Sequence, residues 1–210
     1  MDYQIPAMLE LGIEEKQIEV WMDRNHDGNL FSCMKCFAEY GKRGTGRWHL
    51  QDDVIFSSDF KEKTEKYDDG IVSGFFKAHW QGLEPQSGRV PAVFHWNSFQ
   101  CVRIPDSYIA GCAEWFFTDA MYRDTYKETV EINKCDDSMW YDYLCECHLE
   151  DYVLNLDPSI VEHIDFLIGG SVINHWRGSY ARGDLWEDKE AFEKMRLKLA
   201  SDHKGAFSYR

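Results

Sequence analysis

The sequence predicts an α+β fold, in which an N-terminal antiparallel β meander of about four strands packs against three to four C-terminal helices. Short runs of alternating apolar and polar residues, separated by turn-forming segments, fill the chain up to about residue 105. Apolar residues at helical spacing dominate from about residue 106 to residue 210. No repeat or low-complexity linker separates the two parts, so we expect a single domain over residues 1–210.

Four segments are predicted to form the strands of the meander. They cover residues 29–40, 47–58, 70–80 and 89–104, and glycine-rich or charged turns separate them. Before the first of them, Ile18, Trp21 and Met22 lie at helical spacing. This spacing predicts a short helix over residues 14–22.

Helices are predicted for the second half of the chain. The first covers residues 107–132 and the fourth covers residues 188–203. The second, over residues 138–154, is expected to bury Trp140, Tyr143, Leu144, Cys147 and Leu154. A third helix is predicted to begin near Asp157 and Pro158, which suit a helix N-terminus, and to end near Gly169.

The composition is that of a folded, acidic protein. The net charge is −14, and 44% of the residues are hydrophobic, which is far more apolar material than a disordered chain carries. There is no apolar stretch of the roughly 20 residues needed to cross a bilayer, and the first residues do not resemble a signal peptide. The seven cysteines do not form an even framework. We therefore expect a cytoplasmic protein with reduced thiols and no membrane partner.

The negative charge is concentrated between residues 114 and 165, where 14 acidic residues face three basic ones. Asp142, Glu146 and Glu150 recur every four residues on the second predicted helix, and the preceding helix carries Asp124, Glu128 and Glu131. Like charges at this spacing destabilise a helix by roughly 0.2–0.5 kcal/mol per pair. We therefore predict that these six residues bind a partner. A solvated face and a divalent-cation site are the alternatives.

A short polar segment is a weak candidate for metal binding. Asp23, Asn25, Asp27 and Gly28 follow the spacing of the first half of an EF-hand calcium loop. The glutamate that closes such a loop is replaced by Met34. We therefore expect weak calcium binding or none, and a polar turn that leads into the first strand is the alternative.

Two cysteines have the spacing of half a zinc site. Cys33 and Cys36 form a C-x-x-C pair, for which Cys145, Cys147 and His148 are the remaining candidate ligands. On a helix, the two later cysteines point in different directions, because they are two residues apart. We therefore expect buried, reduced thiols and neither a bound metal nor a cofactor.

These observations favour an acidic intracellular interaction or inhibitor protein that docks a basic partner, itself a nucleic-acid-binding protein. In the extreme form of this hypothesis, the protein is a nucleic-acid mimic. Its composition is similar to that of phage-encoded inhibitors and toxin-immunity proteins. The acidic field excludes direct binding of nucleic acid. One alternative is a small cytoplasmic enzyme with a histidine/carboxylate site, and another is a metal-stabilised structural domain. A concave pocket with perturbed histidines or carboxylates favours the enzyme.

Overall fold

The computed structural model describes residues 4–43, 47–52, 54–67, 69–75, 88–92, 99–122, 136–156 and 159–163. These residues form a mixed α/β structure with five α-helices, one five-stranded sheet that is mostly antiparallel, and a separate pair of strands. The predicted mixture of helix and sheet is confirmed. None of the helices in these ranges is long and apolar enough to cross a membrane.

The helices of the described ranges are α1 (Gln4–Glu10), α2 (Asn29–Tyr40), α3 (Phe60–Lys66), α4 (Asp106–Thr118) and α5 (Asp136–Cys147). The main sheet contains β1 (Arg47–Leu50), β3 (Ile71–Ser73), β4 (Gly88–Pro91), β5 (Cys101–Ile104) and β6 (Tyr152–Asn155). Its strand order is β1-β5-β3-β6-β4, and β3 and β6 are its parallel pair. Strands β2 (Val54–Phe56) and β7 (Val161–His163) form the separate antiparallel pair.

Both faces of the main sheet are covered. Successive side chains of a strand point to opposite faces, and the neighbours Ile71 and Val72 accordingly belong to two different hydrophobic clusters. The first cluster contains the inward faces of α2, α4 and α5. The second contains Phe56 and Phe60, from β2 and α3. The sheet is therefore the middle layer of three.

The predicted meander is wrong, because strands that follow each other in sequence are not neighbours in the main sheet. Strand β5 lies between β1 and β3, and β6 lies between β3 and β4. Strand β6 comes from the half of the chain that the sequence predicts to be helical. A parallel neighbour such as β6 needs a long crossover connection, and α4 and α5 lie in the sequence between β3 and β6.

The segment predicted as the first strand, residues 29–40, is the helix α2. Its buried residues Leu30, Met34 and Phe37 are spaced by four and three positions, which places them on one side of a helix. Phe37 packs edge-on against Trp140 of α5, with the ring centroids 6.4 Å apart. The apolar side of α2 therefore faces another helix.

The segment predicted as the first helix, residues 14–22, has only one 3₁₀ turn, at Glu15–Gln17. Beyond it, Trp21 donates a hydrogen bond from Nε1 to Ser32 Oγ at 3.0 Å and packs edge-on against Tyr40 of α2. Val20 and Met22 remain exposed. An extended chain lets Trp21 contact α2, although 40% of Trp21 itself remains exposed.

The later helices differ from their predicted bounds. Helix α4 ends at Thr118, and residues 123–132 lie outside the described ranges. Helix α5 ends at Cys147, which is exposed. The predicted core residues Trp140, Tyr143 and Leu144 are buried.

The third predicted helix is wrong where the structure describes it, because residues 161–163 form β7 and pair with β2. Leu154 lies in β6 and not in the second helix. Asp157, Pro158 and Gly169 fall outside the described ranges, as does the fourth predicted helix over residues 188–203. Pairing with distant strands decided the structure of β6 and β7.

Candidate functional site

The predicted acidic stripe lies partly within the described ranges. Outside them are Asp124, Glu128 and Glu131. Asp142 is half-buried on α5, and Glu146 is exposed near the C-terminal end of the same helix. Glu150 is exposed in the turn that follows α5. The described part of the stripe therefore consists of two residues on α5 and one in the turn that follows it.

Glu146 has a local structural role. Its Oε2 atom accepts a hydrogen bond from Nε1 of Trp115 on α4, at 3.2 Å. Hydrogen bonds to charged groups contribute about 1.5–3 kcal/mol when they are well shielded, and less at an exposed carboxylate such as this one. The contact opposes the repulsion between Asp142 and Glu146. The repulsion on α5 is therefore a weaker indication of function than the sequence suggests.

Two apolar side chains are exposed beside these carboxylates. Leu149 is 63% exposed and Tyr152 is 48% exposed. The guanidinium of Arg89 lies 4.7 Å from the centroid of the Tyr152 ring. We call Glu146, Leu149, Glu150 and Tyr152 the acidic corner. Sequence reasoning missed its apolar members, because it placed residues 149 and 152 inside the second predicted helix, and the sequence does not show which apolar residues remain uncovered.

A polar network holds the turn of the acidic corner in place. The imidazole of His148 lies between Asp151 and Tyr143, with Nδ1 2.8 Å from Asp151 Oδ2 and Nε2 2.8 Å from Tyr143 Oη. Tyr108 donates to the same Asp151 oxygen at 3.0 Å and stacks on the His148 ring. The backbone N–H of His148 donates to the carbonyl of Leu144. His148 therefore has a structural role at the C-terminal end of α5.

The turn that resembles half of a calcium loop uses its carboxylates internally. Asp23 accepts hydrogen bonds from the backbone N–H groups of Asp27 and Gly28, both at 2.9 Å, and the bond from Asp27 lowers the pKa of Asp23. Asp27 forms an ion pair with Lys35 at 2.6 Å. Asn25 is exposed. The turn leads into α2, which corrects the prediction that it leads into a strand.

Cys33 and Cys36 are half-buried on α2, one turn apart. Burial raises the pKa of Cys33 and raises the pKa of Cys36 to about 12, so both thiols are protonated at neutral pH. Metal ligands and nucleophiles are thiolates. Among the residues that the structure describes, no three His, Cys, Asp or Glu side chains form a cluster suited to a metal ion.

A cavity of about 770 Å³ opens between the N-terminal segment, α2, β1 and α3. Its walls combine Phe37 and Phe99 from the first hydrophobic cluster with Leu50 and Phe60 from the second. Cys33 and Cys36 line it as well. The sequence gives no sign of this cavity, because its walls come from segments that are far apart in the chain.

Asp136, at the start of α5, is the buried carboxylate of the cavity wall. It accepts hydrogen bonds from Nδ2 of Asn29 at 3.0 Å, from Nε2 of Gln51 at 3.2 Å and from the backbone N–H of Asp137 at 3.0 Å. Burial, together with the nearby charge of Asp137, raises the pKa of Asp136 to about 6 against the effect of these hydrogen bonds.

His49 of β1 lines the same cavity. Its ring packs edge-on against Phe37, with the centroids 5.2 Å apart, and its Nε2 atom is enclosed without a hydrogen-bond partner. Burial lowers the pKa of His49 to about 4, so the imidazole is neutral at neutral pH. The cavity therefore offers a carboxylate and a neutral imidazole, with thiols that burial keeps protonated. A concave pocket with a perturbed carboxylate and a perturbed histidine is the feature that favours the enzyme alternative, but its protonated thiols are not nucleophiles.

The acidic corner and the cavity are separate candidate sites, since one ends α5 and the other lies at its beginning. No family model matches the chain, and no curated protein or solved structure is significantly similar to it.

Proposed function

We propose that this protein is an acidic interaction or inhibitor protein that docks a basic, nucleic-acid-binding protein through the acidic corner. The observation that carries the proposal is the exposure of Leu149 between the exposed carboxylates of Glu146 and Glu150. Full burial of a leucine side chain contributes about 1.5–3 kcal/mol. Most of that contribution remains available to a partner, because 63% of Leu149 is in contact with solvent.

The arrangement has the composition of a protein–protein interface. Such interfaces place apolar and aromatic anchors at the centre and polar groups around them. Here Leu149 is the anchor, whereas one face of the Tyr152 ring is covered by the guanidinium of Arg89. The C-terminal end of α5 adds the negative end of a helix dipole to the carboxylates. With a net charge of −14 on the chain, the corner favours a partner rich in lysine and arginine.

Mimicry of nucleic acid is the strongest form of this proposal. Proteins that bind nucleic acid carry basic surfaces that contact phosphates, and carboxylates on an acidic protein are suited to the same contacts. A partner held in this way is unable to bind its nucleic acid at the same time. Inhibition then follows from competition for one basic surface.

The test compares two charge-reversal variants. Glu146→Lys/Glu150→Lys alters the acidic corner, and Glu10→Lys/Glu15→Lys makes the same change in net charge at exposed residues elsewhere. Each protein is immobilised and exposed to a lysate of the source organism at low and at high salt, and the retained basic proteins are identified by mass spectrometry. The Kd of each variant for the purified partner is then measured, with nucleic acid as competitor.

We expect the wild type and the control to bind the partner, and the corner variant to bind at least about tenfold more weakly. Leu149→Ser should weaken binding without any change in charge, which separates the apolar anchor from the electrostatic contribution. Equal losses in both charge-reversal variants indicate a general effect of net charge and contradict the proposal. Equal binding by all variants contradicts it as well.

A further inference from the structure

The cavity lies where the two hydrophobic clusters meet without filling the space between them. Phe37 and Phe99 of the first cluster and Leu50 and Phe60 of the second are among its lining residues. Small-molecule sites usually have volumes of about 300–1,000 Å³ and mostly apolar walls with a few polar groups. A volume of about 770 Å³ is in this range. The size and the walls are therefore suited to a small organic ligand.

The charges around the cavity favour a cation. Carboxylates outnumber lysine and arginine side chains five to two among the residues that line it. Both basic side chains are paired, since Arg47 contacts Glu19 at 2.6 Å and Lys61 contacts Glu65. The remaining carboxylates leave the cavity with a net negative charge. An anionic ligand is repelled by this field, and a cationic ligand is attracted.

The donors of the described residues leave one acceptor position of Asp136 open. A carboxylate has about four acceptor positions, and three donors occupy Asp136: Asn29, Gln51 and the backbone of Asp137. Charged N–H donors form the strongest hydrogen bonds to a carboxylate. A ligand with such a donor stabilises the ionised form of this buried group.

The walls beside Asp136 suit the body of such a ligand. Phe37 and Phe99 contribute to the cavity lining as a packed aromatic pair, with their ring centroids 5.7 Å apart, and supply apolar surface there. His49 is the histidine among the lining residues, and burial keeps its imidazole uncharged by lowering its pKa to about 4. It therefore does not repel a cation.

We propose that this cavity binds a small organic cation, an amine, amidine or protonated heteroaromatic base, with an N–H group directed at the carboxylate of Asp136 and an apolar body against the apolar lining of the cavity. The site is independent of the acidic corner. The protein then has two functions at opposite ends of α5, ligand binding and partner docking.

The test uses benzamidine as the cationic probe and benzamide as its neutral counterpart of nearly the same shape. Their affinities for the full chain are measured by calorimetry near neutral pH. We expect benzamidine to bind at least about tenfold more tightly than benzamide, because only benzamidine carries a charged N–H donor. Asp136→Asn should remove this preference. Equal affinities for the two probes overturn the assignment to a cation.

Two further variants locate the site. Cys36→Phe places a ring in the cavity and should abolish binding of benzamidine, whereas Asp142→Asn removes a carboxylate of the same helix outside the cavity lining and should leave it unchanged. Thermal unfolding checks that each variant folds. If Asp136→Asn fails to fold, Cys36→Phe and the two probes still decide the question. Benzamidine binding that persists in Cys36→Phe, or no binding to the wild type, overturns the proposal.

The Glu146→Lys/Glu150→Lys variant distinguishes the two proposals. It should bind benzamidine with the affinity of the wild type, because the acidic corner does not contribute to the cavity lining. A large loss of benzamidine affinity in this variant would mean that the probe binds the acidic corner.

Discussion

Ionisation of Asp136 should destabilise the fold, and Asp136→Asn isolates the effect. The side chain is 5% exposed, and burial is the main reason that its pKa rises from 3.8 to about 6. The folded state therefore binds a proton more readily than the unfolded state. The stabilising effect of this proton is complete below about pH 4 and is lost as the pH rises through about 6.

The size of the effect follows from the two pKa values. A difference of one pKa unit between the folded and unfolded states corresponds to about 1.4 kcal/mol. For Asp136, the pKa rises from 3.8 to about 6, which predicts that the wild type loses about 3 kcal/mol of unfolding free energy from this group between about pH 4 and pH 7. Asparagine does not titrate, so the variant lacks this contribution.

The assay is urea unfolding of both proteins across this pH range. The difference in unfolding free energy should change by about 3 kcal/mol in favour of Asp136→Asn as the pH rises, and it should be constant above about pH 7. The substitution also alters hydrogen bonds, which shifts the unfolding free energy by the same amount at every pH. The change of the difference with pH is therefore unaffected. Gln51→Met removes a hydrogen bond that lowers the pKa of Asp136 and should enlarge the loss. A difference that does not vary with pH refutes the reasoning.

Two other predictions follow from close contacts. Gly41→Ala should destabilise the protein by about 1–3 kcal/mol, because a Cβ atom at residue 41 would lie 2.6 Å from the backbone nitrogen of Ala110. Urea unfolding measures this loss of stability, and an unchanged unfolding midpoint contradicts the prediction. Calcium should give no saturation at micromolar concentrations when the fluorescence of Trp21 is followed, because Asp23 already binds two backbone N–H groups and Met34 offers no ligand oxygen. Saturation that Asp23→Ala removes shows instead that another segment supplies the missing ligand.

The sequence predicted best where one helix has one continuous apolar face. Tyr143 and Leu144 lie three and four positions after Trp140, and all three are buried on α5 as expected. Leu30 and Met34 of α2 show the same helical spacing. The short apolar run around them also fits a strand, and we predicted a strand. Periodicity alone does not distinguish the two in a run of this length.

The candidate sites were predictable only in part. The concentration of carboxylates between residues 114 and 165 is visible in the sequence, but the exposure of Leu149 is not. Local periodicity shows which residues are apolar, whereas the surrounding elements determine which of them are covered. His49 and Asp136 are 87 positions apart in sequence, so no local pattern predicts that they line one cavity.

By itself, the sequence determined the charge of this protein, the presence of both helix and sheet, and the apolar face of α5, because these properties depend on composition and on neighbours within a few residues. The tertiary structure alone decided the strand order, the position of β6 between β3 and β4, and the pKa values of Asp136 and His49. Strand pairing uses backbone groups that every residue carries, so side-chain patterns leave the partner open. Burial of a titratable group depends on what packs over it from distant parts of the chain.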